Sequence, residues 1–214
     1  METIVMSVGG SLIVPNQVDV DFLHNLKKFI ETAVTESDRR FVIIVGGGKT
    51  YRIYRDAAKE LNIGNEDLDR LGITTCALNA HLLRLVFNDL QDKVLVNSDP
   101  DFFEPGASSD RVAVRSAVKY NARKLVNLSN IDYVYTADPK TDKSATKIEN
   151  ITWSEFRKLL PHSWDPGLSS PFDPIAAQEA EAKNMEVACI NGAKLEELKK
   201  YLDSEEFIGT RIHI

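Results

Sequence analysis

Residues 2–12 read ETIVMSVGGSL, and residues 39–49 read RRFVIIVGGGK. In each segment a nearly continuous apolar run ends in consecutive glycines, which is typical of a strand that is buried on both faces of a parallel sheet and then turns sharply. Between the two runs, from Asp19 onward, apolar residues recur at three- and four-residue spacing, as in an amphipathic helix. These residues are Phe22, Leu23, Leu26, Phe29, Ile30 and Ala33. The chain is therefore predicted to open with strand, helix, strand.

The same alternation continues along the chain. Further helices are predicted around residues 54–61, at about 67–90 and 109–120, after the capping box of Thr152 and Glu155, from Pro174, and over 195–202. Further strands are predicted at residues 93–96, 124–127, 186–190 and 210–214, and a polar loop at 130–150. This order predicts an α/β fold, a three-layer α/β/α sandwich with a mainly parallel sheet. In such a fold, ligands bind at the carboxyl ends of the strands.

The composition excludes several classes of protein. The chain has 214 residues, 43% of them hydrophobic and 27% charged, and its net charge of −6 argues against nucleic acid as the main partner. Its apolar runs are far shorter than the ~20 residues of a membrane helix, and its first residues lack a basic secretory n-region. Two distant cysteines, Cys76 and Cys189, indicate neither a disulfide framework nor a zinc site. We therefore expect a protein of the reducing cytoplasm without a membrane partner.

Three glycine-bearing turns follow or adjoin predicted strands. They are Gly9-Gly10-Ser11, Gly46-Gly47-Gly48-Lys49 and Pro105-Gly106-Ala107-Ser108-Ser109-Asp110. Exposed backbone amides and helix N-termini suit such turns to phosphate oxygens. Any one of them could be a simple strand-to-helix turn, since none has the Walker or GxGxxG pattern. Three at one sheet edge favour a phosphate site.

Phosphoryl transfer requires aligned reactants and positive charge rather than a protein nucleophile. Lys49 and Arg52 could supply the charge. Asp110, at a predicted helix start, could orient cationic groups or a magnesium-bound nucleotide, or it could simply favour the helix N-terminus. A serine or cysteine nucleophile is disfavoured, because none of the four histidines accompanies a GxSxG motif. Trp153 and Trp164 are interpreted as packing residues.

Together with residues 127–139, NLSNIDYVYTADP, these turns resemble the amino-acid kinase superfamily and, within it, the archaeal-type uridylate (UMP) kinases. The other matching segments are SVGGSL (7–12), VGGGK (45–49), DRLGI (69–73), LNA (78–80), Ser109-Asp110, Phe172-Asp173-Pro174 and Gly209-Thr210. They occur in the family's order over nearly the whole chain. The resemblance implies transfer of the ATP γ-phosphate to UMP, with Mg²⁺, in a homo-oligomer built from dimers, usually a hexamer.

The resemblance also implies a role for particular residues. The catalytic set would be Asp110, Lys49 and Gly10. The UMP-binding set would be Gly46, Gly47, Gly48, Asp69, Gly72 and Ser109. The ATP-binding set would be Gly9, Gly10, Ser11, Asn130, Asp132, Tyr135 and Asp138, and no protein residue is assigned as a metal ligand. Residues 1–214 would form one domain, with 1–92 mainly the phosphate-acceptor half and 93–214 mainly the ATP-binding half.

Three departures from the family pattern have consequences. Many relatives have lysine where this chain has Ser7, so Lys49 or Arg52 must supply the charge. Tyr133 replaces a common glycine on the adenine side. A strand ending in Gly-Gly before Pro105 is shortened or missing, which should weaken UMP binding more than ATP binding; Asn97, Ser98 and Ser108 could partly substitute as hydrogen-bond donors.

The resemblance to the superfamily also brings alternatives to a UMP kinase into consideration. One alternative to the kinase is a catalytically weakened relative that binds a nucleotide or an oxyanion. Isopentenyl phosphate kinase is disfavoured, because the position of its catalytic histidine falls at Lys49-Thr50-Tyr51, and amino-acid substrates are disfavoured by residues 69–72.

By the same resemblance, a predicted apolar stripe on the long helix adjoins the family's dimer contact. The stripe consists of Leu71, Leu78, Leu82, Leu85 and Val86.

Overall fold

The computed structural model describes residues 1–97, 107–161 and 170–214. The strands in these ranges are β1 (Glu2–Val8), β2 (Arg39–Val45), β3 (Val94–Val96), β4 (Lys124–Ser129), β5 (Val134–Tyr135), β6 (Lys147–Ile148), β7 (Asn150–Thr152), β8 (Glu186–Asn191) and β9 (Thr210–His213). The helices are α1 (Gly10–Ile13), α2 (Val20–Glu36), α3 (Gly48–Glu60), α4 (Asn65–Val86), α5 (Ser109–Lys119), α6 (Trp153–Leu159), α7 (Pro174–Ala182) and α8 (Leu195–Leu202). Strands and helices alternate as the sequence predicts.

Within the described residues, seven strands form one sheet in the order β3-β2-β1-β4-β8-β9-β7. All neighbouring strands are parallel except β8 and β9, which are antiparallel. The chain crosses from one side of β1 to the other, because β2 and β4 both pair with it. This reversal is the point where open α/β sheets bind ligands.

The sheet separates two apolar cores. Along β1, Ile4 and Met6 face the first core and Val5 faces the second, as the alternation of side chains in a strand requires. Buried side chains of α2, α4 and α8 complete the first core, and those of α5, α6 and α7 complete the second. The predicted three-layer sandwich is therefore confirmed.

Side chains cap the starts of helices α2, α6 and α7, and the capping box expected at Thr152 and Glu155 is one of these caps. The carboxylate of Asp19 accepts a hydrogen bond from the amide of Phe22, at 2.9 Å, immediately before α2. Thr152 caps α6 through the amide of Glu155, and Asp173 caps α7 with Pro174 in the first turn. Each cap satisfies an amide that would otherwise have no partner in the helix.

The structure corrects several predicted boundaries. Helix α4 ends at Val86 instead of near residue 90, because Phe87 is buried in the first core and the next three residues form a 3₁₀ turn. The predicted polar loop at 130–150 contains the antiparallel pair of β5 and β6, and β7 starts at its end. These strands have only two or three residues, too few for a periodic pattern. The short helix α1 was not predicted either.

The predicted stripe on α4 is divided between two faces. Leu82 and Val86 pack against the first core, whereas Leu78 and Leu85 are 62% and 61% exposed. None of the described helices is long and apolar enough to cross a membrane. Cys76 and Cys189 are both free, and Trp153 is buried in the second core as expected. The predictions for Ser98, Pro105, Gly106, His162 and Trp164 lie outside the described residues.

Candidate active site

The first two glycine turns lie side by side at the carboxyl ends of β1 and β2. The amide of Gly46 donates to the carbonyl of Val8 at 3.1 Å. The backbones approach so closely that a Cβ atom on Gly10 would lie 2.2 Å from the nitrogen of Gly48 and 2.4 Å from the carbonyl oxygen of Gly46. Gly48 also has a positive φ of 64°, which L side chains rarely adopt. The two turns therefore form a single glycine-built unit.

Helix α3 starts directly from this unit. No side chain caps it, since its N-cap residue is Gly47, so the partial positive charge of its first turn is directed at the sheet edge. Lys49 lies in that first turn, half-buried, and its amide donates to the carbonyl of Val14 at 3.0 Å. Ser11 is half-buried in α1, on the other turn of the unit. These positions suit a polyphosphate.

Helix α4 packs along α3 and supports the second turn. The side-chain amide of Asn79 is buried and donates to the carbonyl of Gly46 at 2.8 Å. Gly72 faces the ring of Tyr51, because a Cβ on Gly72 would lie 3.4 Å from that ring. Burial raises the pKa of Tyr51. Asp69 is half-buried one turn before Gly72 on the same helix. The structure therefore gives Gly72 a packing partner, and it leaves the predicted contact of Asp69 and Gly72 with UMP untested.

Asp110 lies in the first turn of α5, after the capping residue Ser108. Its Oδ1 accepts a hydrogen bond from the hydroxyl of Ser7 at 2.9 Å, and its Oδ2 accepts one from the backbone amide of Asp173 at 3.1 Å. The neighbouring Ser109 places its Oγ 3.6 Å from the Cβ position of Gly46. The third turn thus brings Ser109 and Asp110 to the glycine unit.

The charge of Asp110 depends on its surroundings. Burial raises its pKa from an ordinary 3.8 to about 6, and the negative charge of Asp173 acts in the same direction. The hydrogen bonds from the Ser7 hydroxyl and from the amide of Asp173 oppose this rise, because they stabilise the carboxylate. Asp110 can therefore change its protonation state just below neutral pH. Perturbed carboxyl groups of this kind are concentrated at active sites.

The segment that follows β4 lies beside the end of β8. The carboxylate of Asp132 accepts hydrogen bonds from Asn191 at 2.7 Å and from Lys194 at 2.9 Å. These bonds lower its pKa. The amide of Gly192 donates to the carbonyl of Ser129 at 2.8 Å. Asp132 is therefore fixed in place by residues of this edge.

The other predicted ATP-site residues are spread along the same segment. Asn130 is exposed, and Tyr135 is half-buried in β5. Asp138 is exposed and accepts a hydrogen bond from the amide of Lys140 at 2.9 Å, so its side chain stabilises its own turn. Tyr133 lies against the amino group of Lys147, 4.8 Å from the ring centre. Their predicted roles remain predictions.

Several contacts of the site were not identified from the sequence. Asp173 was interpreted as a helix start and as part of a matching segment, Asn79 only as part of a matching segment, and Ser7 as part of a matching segment that lacks a lysine. Ser7 nevertheless carries a signal, because it is the one polar residue among residues 4–8 of a buried strand. The contribution of Asn191 and Lys194 has no such signal, since it depends on the pairing of β4 with β8.

The comparisons with known proteins agree with this geometry. The amino acid kinase family model matches residues 2–95 and 93–191. The uridylate kinase of Hyperthermus butylicus is 35% identical over 184 residues, which cover 78% of this chain and 80% of that protein. The uridylate kinase of Pyrococcus abyssi is 33% identical over 192 residues, which cover 81% of this chain and 83% of that protein.

Solved structures show the same relationship. The uridylate kinase of Archaeoglobus fulgidus has a TM-score of 0.77 and 27% identity, covering 99% of this chain and 100% of that one. The UMP kinase of Bacillus anthracis has a TM-score of 0.82 at 18% identity, covering 99% of this chain and 96% of that one, and so shares the fold. Because the family model and the archaeal relatives each match most of its length, this chain belongs to the amino acid kinase family and, within it, to the uridylate kinases.

Proposed function

We propose that this protein transfers the γ-phosphate of ATP to UMP, producing ADP and UDP. The observation that carries the proposal is the hydrogen bond of Asp110 to Ser7 near the end of β1, just before the first glycine turn, with Ser109 beside Gly46 of the second turn. The relatives named uridylate kinase favour this reaction over the alternative of a non-catalytic nucleotide or oxyanion binder.

In this proposal the glycine unit lies between donor and acceptor. The first turn, with Gly9, Gly10 and Ser11, holds the transferring phosphate, and the second turn, with Gly46, Gly47 and Gly48, holds phosphates of both nucleotides. Lys49 neutralises part of the negative charge that develops during transfer. Asp110 orients the reacting groups, and Ser109 contacts UMP. These roles are supported by the position of the residues, which all lie in or beside the glycine turns at one edge of the sheet.

The two nucleotides occupy different halves of the edge. UMP binds mainly to residues 1–92, beside Asp69 and Gly72 on α4. ATP binds mainly to residues 93–214, along Asn130, Asp132, Tyr135 and Asp138. This division is supported by the fixed position of Asp132 at the ends of β4 and β8.

Magnesium enters this scheme with ATP. Within the described residues, no group of three or more His, Cys, Asp or Glu side chains is placed to hold a metal ion. Mg²⁺ would be held mainly by the phosphate oxygens of ATP, since Mg²⁺ commonly relies on substrate phosphates with few protein ligands. Its chemistry would be to screen the phosphate charge. The two free cysteines agree with the cytoplasmic location that we propose.

We also propose a homo-oligomer built from dimers, with α4 at the contact. Leu78 and Leu85 are seven residues apart, and both are mostly exposed on this helix. Light scattering at micromolar concentration should therefore report a multiple of 23.9 kDa. A charged residue in place of Leu85 should reduce the mass towards that of one chain, and a wild-type protein that is already monomeric would contradict the proposal.

A coupled assay of ADP release tests the reaction. UMP, CMP, glutamate, aspartate and isopentenyl phosphate should be supplied as separate acceptors, with Asp110→Asn as the control for contaminating kinases. We expect ADP release with UMP and far less with the amino acids or isopentenyl phosphate. ADP release with one of those acceptors and none with UMP would overturn the proposal. If none of the acceptors gives ADP release above the control level, the non-catalytic binder is favoured.

A further inference from the structure

Ser7 occupies an unusual position for a polar residue. It lies in the interior strand β1, is 1% exposed, and is surrounded along that strand by apolar side chains. Its hydroxyl donates to Oδ1 of Asp110 at 2.9 Å. Burial of a hydroxyl is unfavourable unless it makes a hydrogen bond, so this contact is the physical reason that a serine is tolerated there.

The second oxygen of Asp110 is held from another part of the chain. The backbone amide of Asp173 donates to Oδ2 at 3.1 Å. The side chain of Asp173 is 5% exposed and accepts a hydrogen bond from the amide of Ala176 at 2.7 Å, which fixes this peptide at the start of α7. Both oxygens of the Asp110 carboxylate are therefore held by rigid elements, β1 on one side and the capped end of α7 on the other.

We propose that Ser7 is a positioning residue for phosphoryl transfer, which fixes the rotation of the Asp110 carboxylate together with the amide of Asp173. This inference rests on the proposed catalytic role of Asp110. Hydrogen bonds to a charged acceptor are shorter and stronger than neutral ones, and small errors of placement at a reacting centre reduce rates by large factors. Because Ser7 is 1% exposed, its proposed effect is exerted through Asp110 and not by contact with either nucleotide.

The same hydrogen bond has an effect on the pH dependence. The Ser7 hydroxyl lowers the pKa of Asp110, and the amide of Asp173 does so too, whereas burial and the carboxylate of Asp173 raise it. The neighbouring residues on β4 and β8 add no charge near Asp110. Asn127 on β4 is neutral, and the thiol of Cys189 on β8 has a raised pKa and is protonated. Loss of the hydroxyl should therefore raise the pKa of Asp110.

The adjacent residues on α5 and α7 are paired with each other. Arg111 and Glu179 form an ion pair at 2.8 Å, joined by Arg115 at 3.7 Å. On β2, the residue in register with Ser7 is the apolar Ile44. Substitution of Ser7 leaves these groups unchanged, so the acid limb of the pH–rate profile reports on the Ser7–Asp110 contact.

The test compares Ser7→Ala with Ser7→Thr, which keeps a hydroxyl, and with Ser116→Ala. Ser116 is a matched control, because it is 0% exposed on α5 and its hydroxyl has no hydrogen-bond partner among the described residues. For Ser7→Ala we expect kcat to fall about tenfold to a hundredfold, with KM for UMP and ATP within about twofold. The midpoint of the acid limb should rise by about one pH unit. Ser7→Thr should restore both values, and Ser116→Ala should change neither.

Several results would overturn the inference. One is a Ser7→Ala protein with the wild-type kcat and acid limb, and another is a loss of kcat with no movement of that limb, which indicates a merely structural role. If Ser7→Ala is unfolded by circular dichroism, Ser7→Cys gives the same comparison with a weak donor. Asp110→Asn separates the two proposals: full activity in that variant removes the catalytic role of Asp110, whereas an inactive variant beside a normal Ser7→Ala removes only the positioning role.

Discussion

Replacement of Gly10 by alanine should separate the two glycine turns. The added Cβ would lie 2.2 Å from the nitrogen of Gly48 and 2.4 Å from the carbonyl oxygen of Gly46, and both atoms belong to the backbone. A backbone atom cannot rotate away as the end of a side chain can. One turn must therefore move relative to the other, although the ends of β1 and β2 hold both in place.

The size of the effect follows from these contacts. Overpacking of a dense interior typically destabilises by 1–3 kcal/mol, and contacts against backbone belong at the upper end, so we expect about 3 kcal/mol. For a chain of this length, that corresponds to a fall in Tm of roughly 6–12 °C. Phosphoryl transfer should fall by about 100-fold or more, because the displaced turns are proposed to hold the phosphates.

The assay compares thermal unfolding and ADP release of Gly10→Ala with those of Gly64→Ala. Gly64 is a matched control, because it also precedes a helix but has nothing within 4 Å of its Cβ position, and its φ of −71° suits alanine. We expect the control to stay within a few degrees of the wild type and to remain active. A Gly10→Ala protein with the wild-type Tm and rate would refute the close approach of the two turns.

Four further predictions concern catalysis and binding. Asp110→Asn should lower kcat by about 100-fold or more without lowering Tm at pH 7.5. The reason is that folding raises the pKa of this carboxyl from 3.8 to about 6, so the cost of its charge in the native state accumulates between these pH values and is complete at pH 7.5; a lower Tm would contradict this. In the wild type, the rate should fall below about pH 6 as Asp110 becomes protonated, and an acid limb near pH 4 would argue against that assignment. Lys49→Gln should weaken nucleotide binding and slow transfer together, and an unchanged rate would assign the cation to another residue, such as Arg52. Separate calorimetric titrations should give weaker binding of UMP than of a non-hydrolysable ATP analogue; sub-micromolar UMP binding beside weak ATP binding would disprove this expectation.

Local patterns were sufficient for most of the fold. Buried parallel strands read as apolar runs, and β1 and β2 could be located from composition alone. The capping box of Thr152 and Glu155 located the start of α6, and Asp173-Pro174 located that of α7, because both signals are local in the sequence. The end of α4 could not be found in this way, since it depends on the burial of Phe87 against the sheet.

The site was predictable only in part. Glycine turns and Asp110 were found because they are local motifs that follow predicted strands. The partners of Asp110 come from β1 and from the segment before α7, so the contact depends on how the sheet and α5 pack together. Similarly, Asp132 meets Lys194 only because β4 pairs with β8. Long-range pairings of this kind leave no mark in the spacing of residues along the chain.

The register of the sheet sets the position of the proposed catalytic carboxylate. Ser7 pairs with Asn127, which pairs with Cys189, so one row of side chains crosses β1, β4 and β8 on the face covered by α5 and α7. Its polar members bind the segments above the sheet: Ser7 donates to Asp110, and Asn127 donates to the carbonyl of Pro171 at 3.0 Å.

Successive side chains of a strand point to opposite faces, so a shift of one residue would turn Ser7 towards the first core and leave Asp110 without its donor. The apolar residues that alternate with Ser7 in β1 prevent such a shift, since it would also move Ile4 and Met6 out of the first core. The hydrophobic pattern that specifies the fold therefore also fixes the geometry of the site.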